Sequence, residues 1–395
     1  MRLNARTTKI LLAGAAAAAV PAGLLAAGTA SAAPTHGGGS GFTVRQLASG
    51  QKLTHKFTPS GSSQAKTEKL TLPDDITSLG RNVFVTFQNG VGPQGQASTS
   101  GNLGTTIVEF TPSGRVVHQW DLRGKCDGLT ADPWTGTVVA TVNEDLNSSL
   151  YTISPRKWRG GQVQHYTYSK NPLPHNGGTD AITVYHGQLF ISASAPGTTG
   201  AAAPNAAYPA VYIVSLKTKT HVATVRPLFS DEAQATVANA GAGSGKTVKL
   251  GLTDPDSSTV VPFSSARFRG DYVLDSQGDQ QQIYVGHAGT KHQSLSVLNL
   301  SQAVDDTVWA TSRDGRLYVT DSGADTVNVV AGPFRSGTAF SSVTPCDASS
   351  APAICPAPPK FPANYLGTLN LNTGNLSPVN LHGRTLHSQS LEFVG

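Results

Sequence analysis

The sequence is short of methionine, cysteine and charge, and each shortage excludes something. Its 395 residues hold three Cys and a single Met, Met1. Charged residues make up only 13% of the chain, against 42 Gly and 24 Pro. Turn formers in that number, with so few charges, suit many short strands and argue against helices. No Cys/His spacing resembles a zinc site, and no G-x-S-x-G elbow marks a serine hydrolase. Beyond the N-terminal segment no apolar run is long enough to span a bilayer. The formal charge of +5 is also less than it looks. Without Arg2, Arg6 and Lys9 of the N-terminal segment, 26 basic residues face 24 acidic ones. No basic cluster with interleaved aromatics is present, so no nucleic-acid partner is expected.

The N-terminal segment itself has the grammar of an export signal. Arg2, Arg6 and Lys9 precede the apolar stretch Ile10 to Ala27, and Ala30-Ser31-Ala32 offers a small-residue cleavage site. Residues 1–32 are therefore expected to be a signal peptide and 33–41 a flexible linker, leaving 42–395 as a single secreted domain without a membrane span.

What fills that domain is a repeat. The pattern Asp-x-apolar recurs as Asp74-Asp75-Ile76, Asp127-Gly128-Leu129 and Asp180-Ala181-Ile182, each 53 residues on (74 to 127 to 180). Asp256-Ser257-Ser258 and Asp306-Thr307-Val308 continue it, and Gln389-Ser390-Leu391 is a last weak copy. The two long intervals hold insertions, 229–250 and 333–363. Phe57-Thr58-Pro59-Ser60-Gly61 returns as Phe110 to Gly114, again 53 residues on. A period near 50, with about four strands in each unit, is the mark of a β-propeller. The spacing favours six blades; five or seven follow if 256 is not a blade or 229–250 hides one. The N-terminal strands (42–48, 52–58, 66–72) are expected to complete, as second to fourth strands, the blade that Gln389 to Val394 begins. That closure removes two sheet edges.

The stretch Val304 to Val330, VDDTVWATSRDGRLYVTDSGADTVNVV, reads as one three-stranded meander. It is similar to the repeats of NHL- and YVTN-type propellers and to the gluconolactonase-like six-bladed family, with LYVTDSGADTV carrying most of the likeness. The resemblance implies an all-β six-bladed propeller. Those families include lactonases, lyases, peptide-processing enzymes and binding scaffolds, so the fold does not choose a function.

In a propeller the recurrent acids stand where the innermost strands begin. Asp74, Asp127, Asp180, Asp256 and Asp306 are then expected to ring one channel mouth, with Gln389 in the sixth place; Asp75, Asp254 and Asp305 blur the register. Such a ring suits a divalent cation such as Ca²⁺, while an Asp at a strand start also serves its own turn. Loops 88–104, 143–149, 194–209, 276–281 and 322–325 share that face. His175 and His387 fall on it as candidate bases or ligands. Trp120, Trp134, Trp158 and Trp309 are expected to fill space between blades.

Cys346 and Cys355 bracket a Pro-rich loop and are expected to pair in an oxidising compartment. Cys126 is left as a buried, inert thiol. Ala240 to Thr247 (AGAGSGKT) mimics a phosphate loop but runs into a short strand rather than a helix. These readings give an exported propeller acting as a monomeric scaffold that binds an extracellular ligand or protein at the channel mouth. The alternative is a metal-assisted lactonase or lyase.

Overall fold

The structure is a computed structural model, and it describes residues 41–171, 173–196, 207–344, 364–384 and 386–395. The expected signal, most of the expected linker and both Cys346 and Cys355 lie outside these residues. Among the described residues, no helix is long and apolar enough to cross a membrane.

Strand follows strand because apolar residues alternate with polar ones between glycine turns. The first sheet runs outward through Pro73–Leu79, Asn82–Phe87, Gly104–Phe110 and Val116–Arg123. The second, which begins at Cys126–Asp132, and the third, which begins at Thr179–Tyr185, are joined into one eight-stranded sheet by the parallel pair Val163–Tyr168 and Val222–Ser230; the fourth begins at Pro255–Val260 and the fifth at Val304–Trp309. A closing sheet begins at Ser388–Val394. These inner strands stand side by side in chain order, and Ser388–Val394 lies beside Pro73–Leu79. The array therefore closes on itself as a β-propeller.

Packing follows the same circle, with an apolar cluster between each pair of neighbouring sheets. Phe84 and Ile107 of the first sheet meet Leu129, Val138 and Ala140 of the second. At the seam, Tyr318, Val327 and Val329 of the closing sheet meet Val83, Val85 and Val108 of the first. Phe84, Tyr212, Tyr272, Tyr284 and Tyr318 are all but inaccessible to solvent. Each fully buried side chain of this size contributes roughly 1.5–3 kcal/mol. Trp120 and Trp309 join these clusters. Trp134 and Trp158 do not: they are 87% and 76% exposed, which corrects the expectation that all four fill the space between sheets.

The closing sheet departs from the sequence reading in two ways. Its order is Ser388–Val394, Arg316–Asp321, Thr326–Ala331, Thr43–Ser49. The N-terminus thus supplies the outermost strand alone. Thr54–Phe57 and Lys66–Lys69 pair only with each other, as a hairpin that His55 pins to Asp121 of the first sheet. The stretch Val304 to Val330 is not one meander either. Val304–Trp309 pairs with Ala339–Val343, while the hairpin Arg316–Asp321/Thr326–Ala331 leaves the fifth sheet and joins the closing one. The chain then returns to finish the fifth sheet with Ala339–Val343, Tyr365–Leu369 and Leu376–Pro378.

The 229–250 insertion is structured but adds no sheet of its own. Its hairpin, Gln234–Val237 with Thr247–Lys249, lies parallel to the outer strand Ser294–Asn299 and covers the fourth sheet's edge. The Gly-rich 240–247 segment is the turn of that hairpin and leads into a strand, so it lacks the helix a phosphate loop needs.

Candidate functional site

Each inner strand carries an irregularity after its first residue. The register shifts between Pro73 and Ile76, Cys126 and Gly128, Thr179 and Ile182, Pro255 and Ser257, and Val304 and Asp306. The strand Ser388–Val394 shifts at the equivalent place. A bulge re-aims the side chain beside it. The side chains at these positions are Asp74, Asp127, Asp180, Asp256, Asp305 and Gln389, and all line one cavity of about 230 Å³ at the channel mouth. The fifth place belongs to Asp305, not Asp306. Asp306 sits one residue deeper, where its carboxylate accepts from the backbone N–H groups of Thr307 (2.7 Å) and Leu391 (2.7 Å) and from the Ser390 hydroxyl (2.9 Å). Asp75, also one place deeper, accepts from Leu129 N at 2.6 Å. Gly128 fills the equivalent place in the second strand because a Cβ there would meet Asp180 O at 2.2 Å.

Donors bridge neighbouring carboxylates. Gln88 Nε2 donates to Asp74 Oδ2 at 2.7 Å and to Asp127 Oδ1 at 2.8 Å. Gln277 Nε2 does the same for Asp256 Oδ2 (3.1 Å) and Asp305 Oδ1 (2.9 Å), and Gln389 Nε2 reaches Asp305 Oδ1 at 3.2 Å. Lys125 pairs with Asp127 Oδ1 at 2.7 Å and with Glu144. The cavity lining thus holds eight carboxyl groups (Asp74, Asp75, Asp127, Glu144, Asp180, Asp256, Asp305, Asp306) and one ammonium.

This imbalance leaves satisfaction incomplete. Asp127 Oδ2 is buried without a hydrogen-bond partner among the described residues. Asp180 is 4% exposed, and its carboxylate takes no hydrogen bond among them. Desolvation works against every charged form here. Burial raises Asp74 from 3.8 to about 7, with Lys125 opposing and Glu144 adding to the rise. Asp127 rises to about 6 and Glu144 to about 7 for the same reason, again against the pull of Lys125. Burial, and then the carboxylates around them, holds Asp180, Asp256 and Asp305 well above the usual carboxylate range. Burial alone would lower Lys125, but Asp127, Glu144 and Asp74 outweigh it, so this lysine stays protonated. Among the described residues, no three His, Cys, Asp or Glu side chains are grouped so as to hold a metal ion.

The two histidines proposed from sequence are elsewhere. His175 is fully buried, its Nδ1 2.7 Å from Tyr212 Oη and its Nε2 2.6 Å from Gly178 O. Burial lowers it to about 4, so it is neutral and shapes the loop before Thr179. His387 is exposed, with its backbone N–H donating to Asp321 Oδ2 at 3.1 Å. Neither side chain lines the channel. Cys126 is a free, buried thiol whose pKa burial pushes well up, which leaves it unreactive. Lys125, Glu144, Gln88 and Gln277 were not singled out by sequence, although the loops carrying three of them were assigned to this face.

The sequence matches no protein-family model, and no curated protein matches it. Among solved structures it is similar to the hydrazine synthase of Kuenenia stuttgartiensis, at 12% identity over 77% of this chain, with TM-score 0.36. That match spans 64% of the hydrazine synthase chain. It is also similar to a gluconolactonase-like protein (10% identity, 89% of this chain and 85% of the other, TM-score 0.43). A third is the Dos1 propeller (8% identity, 86% and 68%, TM-score 0.36). Likeness at this level is one of fold and assigns no activity.

Proposed function

We propose that this chain is an exported six-bladed propeller that serves as a binding scaffold, and that its acidic mouth takes an organic cation. Support for six blades comes from the unbroken circle of inner strands and the apolar clusters between their sheets. Support for export comes from the basic start, apolar stretch and Ala30-Ser31-Ala32. The observation that carries the binding reading is the excess of buried carboxyl groups over cations in the mouth, with Asp127 Oδ2 left without a hydrogen-bond partner among the described residues.

Lys125 supports an organic cation as the ligand. Its alkylammonium already sits against Asp127 and Glu144 on one side of the ring. On the other side Asp256 and Asp305 are hydrogen-bonded to each other and bridged by Gln277, and no donor reaches the Asp180 carboxylate among the described residues. An ammonium or guanidinium group there would displace protons from these carboxyl groups and hydrogen-bond to the resulting carboxylates in a desolvated site, where charge-assisted hydrogen bonds are strongest. The carboxylates are spread around a ring and bridged by glutamines, which suits a cation with several N–H groups better than a compact ion.

The test is the melting temperature at pH 8 with butylammonium, spermidine or argininamide, and separately with Ca²⁺ or Mg²⁺, at matched ionic strength. The expected result is a rise with the organic cations that Asp180→Asn combined with Asp256→Asn removes. A rise with divalent ions alone would make the mouth a metal site, and no rise with any cation would defeat the reading.

A further inference from the structure

The other end of the channel holds a cavity of about 670 Å³. Sites for small molecules run from about 300 to 1,000 Å³. It opens where the inner strands end, beside the turns at 132–136 and 185–188. It shares only Asp75, Ser257 and Asp306 with the acidic mouth. Three residues beyond each ring position the wall presents Thr77, Thr130, Thr183 and Thr259, then Val308 and Glu392. The Thr183 hydroxyl donates to Ser258 O at 2.7 Å. The hydroxyls of Thr77, Thr130 and Thr259 have no hydrogen-bond partner among the described residues. Glu392 Oε1 accepts from Ser78 Oγ at 2.5 Å. Between these polar groups lie the methyls of Ile76, Leu129 and Ile182. At the rim stands Trp134, 87% exposed, its backbone N–H held by Asp132 Oδ1 at 3.0 Å.

We propose that this cavity is a second binding site, for a saccharide ring, separate from the acidic mouth. A sugar ring carries hydroxyls around its edge and a C–H patch on its face. The wall offers the matching pattern of unpartnered hydroxyls, a carboxyl acceptor and methyl groups, and Trp134 offers a flat apolar surface for the C–H face. A purely apolar ligand would displace water from the hydroxyls of Thr77, Thr130 and Thr259 and offer them no hydrogen bond in return, at a cost in affinity. An anion would face Asp75, Asp306 and Glu392.

The full-length protein carrying Trp158→Phe, in which Trp134 is the one exposed indole among the described residues, is titrated with hexoses, N-acetylhexosamines and their short oligomers. Tryptophan emission and ligand-observed saturation transfer are followed together. At least one saccharide is expected to shift the emission and give saturation transfer. Trp134→Ala and Thr130→Val should each weaken its binding at least about tenfold by calorimetry. Melting temperature and the response of the acidic mouth to organic cations should stay unchanged in both variants. Silence from every saccharide in both readouts would overturn the proposal. So would binding that Trp134→Ala leaves intact, or binding that competes with the organic cation.

Discussion

Asp180 is nearly inaccessible to solvent, and no donor reaches its carboxylate among the described residues. Such a group lowers stability and is kept only where it does something else. Asp180→Asn should therefore stabilise the protein at pH 8 by about 0.5–2 kcal/mol while weakening cation binding, as read by chemical denaturation and by calorimetry on one preparation. A loss of stability instead would mean that the carboxylate has a structural partner. At this scale the sequence was a fair guide. Asp74, Asp127, Asp180 and Asp256 recur at matching places in the repeat, and all four line the mouth cavity. The fifth place falls to Asp305 rather than Asp306: Asp305-Asp306 offers two acids in tandem, and only the backbone irregularity decides which one faces the mouth. His175 misled for a related reason: its position before Asp180 was right, but its burial against Tyr212 depends on a strand 37 residues away.

Among the elements, the hairpin Arg316–Asp321/Thr326–Ala331 carries the most information. Its strands follow Val304–Trp309 closely in sequence, and the ordinary expectation is that neighbours in the chain pair. They pair instead with Ser388–Val394 on one side and Thr43–Ser49 on the other. The hairpin was legible from its Asp-Ser-Gly turn and alternating pattern. Its partner was not, since alternation states which face is buried but not which edge is met. The same limit explains why the N-terminus was assigned three strands of the closing sheet and supplies one. In the observed pairing Arg316 lies opposite Val394. Cysteines at Arg316→Cys and Val394→Cys should therefore cross-link under mild oxidation, as detected by mass spectrometry of the unreduced digest. A meander confined to the fifth sheet would leave these two positions far apart and uncross-linked.

For the whole molecule, the closed circle of sheets brings carboxyl groups from separate inner strands into one desolvated mouth, and this couples stability to pH. Asp74, Asp127 and Glu144 have folded-state values of about 7, 6 and 7, above their ordinary 3.8, 3.8 and 4.5. Between those limits the folded state holds more protons than the unfolded one, so stability falls as pH rises through the window and levels off above it. The melting temperature should drop by at least about 3 °C between pH 5 and pH 8. Replacing Asp74 and Asp127 together by Asn should flatten that drop. A melting temperature that rises over this range would show that the mouth is better paired than its geometry indicates.

The propeller itself was readable from a period of 53 residues, but the chemistry of its mouth came from Lys125 and the bridging glutamines, which follow no repeat. The most direct measurement is calorimetric titration of spermidine at pH 7 in two buffers of different ionisation enthalpy. If the mouth binds a cation at carboxyl groups held partly protonated by burial, the two heats will differ, with a net release of protons into the buffer. Equal heats with binding intact, or no binding at all, would contradict the account.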